Sequence, residues 1–355
     1  MNLMGKWIGL GMLIVSVVFV AACDREVTYT EETTTPESCF GCHSDQNTAL
    51  VAAEGQWSYS VHASGAHVYE NSSTCSRCHT NEGFVRKVNG ESAMTIENPT
   101  AIHCFTCHAP HSTGNLDLRV TAPQALANGE SFDLKSGNIC TACHQSRRDV
   151  NTYVAVDTVS MTNRWSPHYG VQADMLLGTN GYEYAGYTYE QTNHKGATDN
   201  GCLDCHFETP FGYSLGGHSF NMAYGGEEGE TYNAEACAKC HEGIEEGDNF
   251  DLDGVQTEVE GLISTLEGLL ISANMLVETE EGLQAQTRDV YSRSEPGDSA
   301  GALWNYFIAK YDRSEGVHNR AYITGLLESA IEFMQGSPGF TAPTVAEGQN
   351  RKTAR

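Results

Sequence analysis

With 46 Asp and Glu against 20 Lys and Arg, this 355-residue chain carries a formal charge of −26 at pH 7. So acidic a surface excludes nucleic acid as a partner and argues against direct binding to anionic lipid. It favours basic proteins, cations or oxidised metal species instead. Thirteen cysteines and 14 histidines set the chain apart from an ordinary apolar-core domain, and their spacing carries the chemistry.

At the amino end, Lys6 supplies a positive charge, Ile8 to Val20 an apolar run, and Val20-Ala21-Ala22-Cys23 a small-residue cleavage site. The run is shorter than the ~20 residues that span a bilayer. Residues 1–22 are expected to be a lipoprotein signal peptide, because small residues before Cys23 resemble the lipobox in which a bacterial lipoprotein thiol is acylated. An ordinary export signal with an incidental cysteine is the alternative. Either way the mature chain is exported, and lipid on Cys23 would hold it on an envelope membrane facing the periplasm or the cell surface. Residues 23–37, polar and Thr/Glu-rich with Pro36, read as a flexible tether.

Residues 38–247 hold the other 12 cysteines in six Cys-x-x-Cys-His units. These are Cys39/Cys42/His43, Cys75/Cys78/His79, Cys104/Cys107/His108, Cys140/Cys143/His144, Cys202/Cys205/His206 and Cys237/Cys240/His241. A zinc ribbon, a redox dithiol or a disulfide framework does not require the histidine that follows every pair. Covalent attachment of a c-type haem does: each thiol adds to one vinyl group, and the histidine is held beneath the iron as proximal ligand. Six haem c groups are therefore expected. They leave fewer than about 60 residues for each, too few for six apolar cores, so the cofactors should form much of the interior. Motif starts are separated by 36, 29, 36, 62 and 35 residues, which is no fixed repeat. Between motifs the chain is rich in Gly, Asn, Ser and Thr and reads as loops and short helices. The longest interval carries Tyr182, Tyr184, Tyr187 and Tyr189, whose rings could pack on porphyrin edges or simply belong to a packed loop.

Eight histidines lie outside the motifs: His62, His67, His103, His111, His168, His194, His218 and His318. Six irons need six distal ligands, so the supply favours two histidines on every iron, with Met94, Met161, Met175 and Met222 as competitors. His103 and His111 flank the third motif too closely to reach the far face of its own haem. If either ligates, it ligates a neighbour. Arg119, Arg147 and Arg148 follow motifs and could pair with propionates or stay solvated.

From residue 248 to 335 the pattern becomes helical. Val255, Val259, Leu262, Ile263, Leu266, Leu269, Leu270 and Leu276 recur at three- and four-residue steps, predicting an amphipathic helix over 255–276. A second helix begins near Ser299 with Trp304, Phe307, Ile308 and Tyr311. A third follows Asn319 with Tyr322, Leu326, Leu327, Ala330, Ile331 and Met334, and Gly316 marks the break. Residues 336–355 read as a disordered tail. The fold class expected is thus mainly α, with extensive irregular loops wrapped around six covalently bound haems and a carboxy-terminal region of two to three helices. Asn249-x-Asp251-x-Asp253-Gly254 with Glu260 approximates a calcium-binding loop. An acidic loop capping the helix near Val255 is the competing reading.

The string Gly316-Val317-His318-Asn319, followed by Tyr322 and Leu326-Leu327, resembles the carboxy-terminal helix of multihaem cytochromes related to the ammonia-forming nitrite reductases. Other matching strings are Trp57 to His62, Pro110-His111, Ser166-Pro167-His168-Tyr169-Gly170 and Gly216-Gly217-His218-Ser219-Phe220. With His194 ahead of the fifth motif, the resemblance implies His62, His111, His168, His194, His218 and His318 as distal ligands and leaves His67 and His103 as spares. Two departures stand out. Arg320 occupies a position where relatives often have proline, and no motif here ends in lysine, the residue that marks the open substrate haem of those reductases.

Nothing therefore marks a catalytic haem with its own acid–base group. The preferred reading is an exported electron carrier in respiratory or extracellular electron transfer, with other cytochromes or redox proteins as partners. Its alternatives are a reductase of a small nitrogen or sulfur oxyanion, and a subunit of an extracellular cytochrome filament.

Overall fold

The structure, a computed structural model, describes residues 44, 47–154, 159, 161–162, 164–208, 212–226, 229–245, 247–280, 282–286 and 298–336. The expected leader, Cys23, the tether, the first motif (Cys39, Cys42 and His43) and the tail from 337 lie outside the described residues.

Helices of eight residues or more are α1 (Thr48–Trp57), α2 (Asn81–Val88), α3 (Val255–Ser272), α4 (Asp298–Asp312) and α5 (Arg320–Met334). Every described haem-type motif rides on a single helical turn: Ser76–His79, Cys104–Cys107, Asn138–Thr141, Leu203–His206 and Glu235–Ala238. One turn brings the two cysteines of each motif and its histidine to one side of the backbone. The strands pair as short antiparallel hairpins: β1 (Gln124–Ala125) with β2 (Ser131–Phe132), β3 (Ala223–Gly226) with β4 (Gly229–Tyr232), and β5 (Leu276–Thr279) with β6 (Gly282–Ala285). The mainly helical, loop-rich class expected from the sequence is what the described residues show.

The three carboxy-terminal helices pack on one another, with α4 innermost: twelve of its 15 residues are buried. A helix apolar on every side has to be buried in this way. Leu266 and Leu270 of α3, Trp304 and Phe307 of α4, and Leu326, Leu327 and Phe333 of α5 form one core. Val150, Val154, Trp165 and Met175 join it from the long fourth interval. Burying side chains of this size contributes roughly 1.5–3 kcal/mol each. Around the motifs the apolar clusters are small, namely Phe84, Val120, Ile139 and Ala142, and Leu126, Phe132, Ala173 and Leu176. A protein core thus exists where no cysteine lies, and little apolar interior exists where the motifs are.

One expectation about the elements needs correction. The helix predicted to run to 276 stops at Ser272, because Asn274 takes the left-handed conformation (φ 56°) that ends helices. Leu276 is buried as its spacing suggested, but it opens β5. The four tyrosines of the long loop pack on α4 and α5. Tyr182 donates to the Asp298 carboxylate at 2.6 Å, Tyr184 stacks on Phe333, Tyr187 donates to Glu332, and Tyr189 reaches Ser329 at 3.0 Å. Asn305 of α4 clasps the same loop, accepting from Tyr182 N and donating to Tyr182 O.

Candidate functional site

Each described motif histidine meets a second imidazole across a gap of nearly constant width. Ring centroids are 6.2 Å apart for His79 and His168, 6.4 Å for His108 and His218, and 6.1 Å for His144 and His62. They are 6.4 Å apart for His206 and His318, and 6.1 Å for His241 and His194. A ligating nitrogen sits about 2 Å from its metal and roughly 1 Å from its ring centre, so rings trans across one iron have centroids about 6–6.5 Å apart. These pairs have that separation.

The second member of each pair comes from a segment distant in sequence. His62 stands on the 3₁₀ turn Val61–Ser64 that follows α1. His218 lies on a turn whose backbone N–H donates to Gln56 of α1 at 3.0 Å. The loop bearing His168 is tied to the fourth motif, Arg147 N donating to Pro167 O at 3.0 Å, while its imidazole faces the second motif. His168 itself has φ 78°, a strained value for a non-glycine residue that the surrounding contacts hold in place. His318 is delivered by the turn between α4 and α5. Asn319 caps α5, its Oδ1 accepting from Tyr322 N, and the departure at Arg320 is used for an ion pair with Glu258 of α3 at 2.7 Å.

Hydrogen bonds orient the rings. Nδ1 donates to Leu116 O for His108, Gln172 Oε1 for His144, Val317 O for His194 and Phe220 O for His206. Nδ1 of His318 meets Asp312 Oδ1 at 2.8 Å. With Nδ1 occupied, Nε2 is the nitrogen left to ligate. Burial pushes His62, His168, His206 and His218 down to about 4 and lowers His79 and His144 as well. All six are therefore neutral at pH 7, the form that binds iron. For His318, burial disfavours the charged ring, but attraction and hydrogen bonding to Asp312 outweigh it and raise the pKa.

Several of the thiols, which stand where haem thioethers would form, are neighbours across motifs. Cys78 is within hydrogen-bonding reach of Cys143, and Cys140 of Cys202. Cys107 packs with Cys140 and Cys143 around the Phe84 cluster, and Cys237 lies beside Cys205. The fourth motif is thus close to the second, third and fifth, and the fifth is close to the sixth.

Cys240 of the sixth motif differs in exposure from most of the other described motif thiols. It is exposed, as is Cys104 of the third motif, whereas the other described motif cysteines are half-buried. The reason is positional: Cys240 lies just past the turn Glu235–Ala238, near the end of the motif region, and none of the three apolar clusters among the described residues includes it. Its spacing to the motif is kept all the same. Cys240 N and His241 N both donate to Cys237 O, at 3.1 and 3.0 Å, so both cysteines and the histidine still share one turn. Paired imidazoles and clustered motif cysteines fit haem c.

Of the six histidines singled out as distal, the sixth, His111, lies 5.5 Å from the Phe105 ring. The spares have other places. His103 caps its own motif turn, its Nδ1 accepting from Phe105 N at 3.3 Å. His67 is exposed and 5.8 Å from His79, a shorter gap than any of the five pairs. Met161 and Met175 are core residues. Arg148 lies 4.8 Å over the Tyr153 ring, Arg119 Nε donates to Phe105 O, and Arg147 lies near His79 and His168.

The acidic loop before α3 follows the capping alternative. Asp251 Oδ1 accepts from Gln256 N at 2.7 Å and Thr257 N at 3.0 Å, and Glu260 points instead toward Glu315. Among the described residues no group of three or more His, Cys, Asp or Glu converges in a way that could hold a metal ion. Among them also, no helix is long and apolar enough to cross a membrane.

These findings support a multihaem c-type cytochrome. No protein-family model matches the chain. It is similar to the C-type polyheme cytochrome OmcC of Geobacter sulfurreducens, 25% identical over 73% of this chain and 42% of that protein. It is also similar to OmcB of the same species, 22% identical over 84% of this chain and 47% of that protein. The chain therefore spans about half the length of these curated relatives. Among solved structures, the crystal structure of the outer cell wall cytochrome OcwA shares the fold with a TM-score of 0.50 and 21% identity, over 79% of this chain and 49% of that one.

Proposed function

We propose that the chain is an exported electron-transfer cytochrome holding six haem c groups, each with two histidine ligands. The observation that carries this reading is the set of five imidazole pairs, 6.1–6.4 Å between centroids, each built on one Cys-x-x-Cys-His motif. On this reading His168 belongs with the second motif, His218 with the third, His62 with the fourth, His318 with the fifth and His194 with the sixth. Of the six that the resemblance implies, His111 is the one left for the first motif, which lies outside the described residues.

Bound haem supplies a one-electron iron couple whose potential follows the axial ligands and their hydrogen bonds. The chain's own residues attach, orient and insulate. Cysteines of neighbouring motifs lie near one another, which supports a connected path from the second and third motifs through the fourth to the fifth and sixth. Two imidazoles per iron would leave no open position for a substrate, which favours carriage over reduction of an oxyanion.

Lipid attachment at Cys23 and a redox protein as partner belong to the same proposal, and rest on the residue pattern at 1–23 and on the formal charge of −26. Optical and electron paramagnetic resonance spectra of the purified protein test the site. Only low-spin haem is expected, with six irons per chain. A substantial high-spin fraction that binds cyanide or nitrite would replace this reading with the reductase.

A further inference from the structure

His318 differs from the other oriented histidines in what its Nδ1 touches. Of the Nδ1 partners found among the described ligand candidates, the oxygens on His108, His144, His194 and His206 are neutral, whereas His318 meets the Asp312 carboxylate at 2.8 Å. Asp312 is only 4% exposed, closes the carboxy end of α4, and takes a second hydrogen bond from Ser314. Near His79, Glu70 and Arg147 act in opposite directions.

An imidazole bonded to a carboxylate gains imidazolate character and becomes a stronger donor than one bonded to a carbonyl. The buried negative charge adds to that effect, because little water is present to screen it. Both favour ferric over ferrous iron.

We propose that Asp312 is a positioning residue that acts through His318 to bring the potential of the haem attached at Cys202 and Cys205 below those of the haems at the other four described motifs. This rests on the reading of His206 and His318 as ligands of one iron. The step affected is a one-electron couple: the electron arrives from an adjacent haem or an added low-potential reductant. No bond is made or broken, and no proton leaves Asp312 or His318.

The test compares the full haem-loaded protein with Asp312→Asn and Asp312→Glu. The Asn variant is expected to keep six haems and a wholly low-spin spectrum. In a spectroelectrochemical titration one low-potential component should move upward while the others hold their midpoints, and the Glu variant should bring that component back down. In the unaltered protein, stepwise reduction followed by nuclear magnetic resonance should leave the Cys202/Cys205 haem ferric longer than the haems of the other four described motifs. No component that moves in Asp312→Asn, or any of those four haems reduced after it, overturns the proposal. If Asp312→Asn does not load haem, the order of reduction in the unaltered protein decides alone. His318→Ala separates the underlying reading: if the low-spin complement is unchanged, His318 is not a ligand, and the function's site assignment fails independently of Asp312.

Discussion

The backbone carbonyl of Val317 accepts a hydrogen bond from Nδ1 of His194 at 2.6 Å, across 123 residues of sequence. The same turn between α4 and α5 carries His318. The end of α4 also fixes Gln172, whose amide donates to Tyr311 O at 2.8 Å while its oxygen meets His144. A segment with no cysteine thus orients His144 of the fourth motif and the imidazoles facing the fifth and sixth motifs. Its well-packed helices give those imidazoles a rigid mount that the loops around the motifs could not supply.

Removing one imidazole at a time reads the pairings directly. His168→Ala and His318→Ala are each expected to convert one of six haems from low to high spin and open it to cyanide, measured by optical titration. His67→Ala should leave the spectrum unchanged. A response to His67→Ala without one to His168→Ala would reassign the second motif.

Asn319 holds the turn by capping α5 and by accepting from Thr192 N at 2.9 Å, which ties the His194 loop to it. Asn319→Ala should cost about 1–2 kcal/mol from the lost cap. It should also broaden the low-spin signals of two haems, those facing His194 and His318. Thermal unfolding and electron paramagnetic resonance line shape measure the two effects.

Gly301 of α4 lies against the Tyr182 ring so closely that a Cβ would stand 2.2 Å from Cδ1. Overpacking of this kind costs roughly 1–3 kcal/mol. Gly301→Ala should lower the unfolding temperature and leave the haem spectrum intact, since no ligand is carried by that face. Calorimetry and spectroscopy on one sample check both halves.

Asp174 gives a pH dependence with a definite sign. Burial raises its pKa from 3.8 to about 6, against the hydrogen bonds from Ser146 N and Asn180. Between these values the folded state binds more protons than the unfolded one, so the contribution of this group falls as pH rises from about 4 to 6. Asp174→Asn should remove that slope. Unfolding temperatures of both proteins across pH 4–6.5 test it, and parallel curves would show that the group does not titrate there.

The Cys-x-x-Cys-His motifs were legible because their pattern is local: two thiols and an imidazole on one helical turn must lie within five residues. The same holds for the apolar spacing of α3, α4 and α5, and for Asn319 as a cap. The exposure of Cys240 was not legible, since a motif spells out its own turn and says nothing of what packs over it. Nor was the end of α3 at Ser272, since Leu276 is equally apolar on a helix or at the start of a strand, and Asn274 decided between them. The tyrosines of the fourth interval could not declare whether they faced cofactor or helix, because an aromatic ring suits either.

What the chain determined without folding was the number and spacing of its Cys-x-x-Cys-His motifs and a surplus of histidines outside them. Which imidazole stands opposite which motif was a matter for the tertiary structure. His62 opposes His144 and His318 opposes His206 only because loops, a capped helix and a buried α4 bring together residues some 80 to 110 positions apart. Spacing along a backbone encodes covalent geometry. Pairing across it depends on packing, which no short string of residues contains.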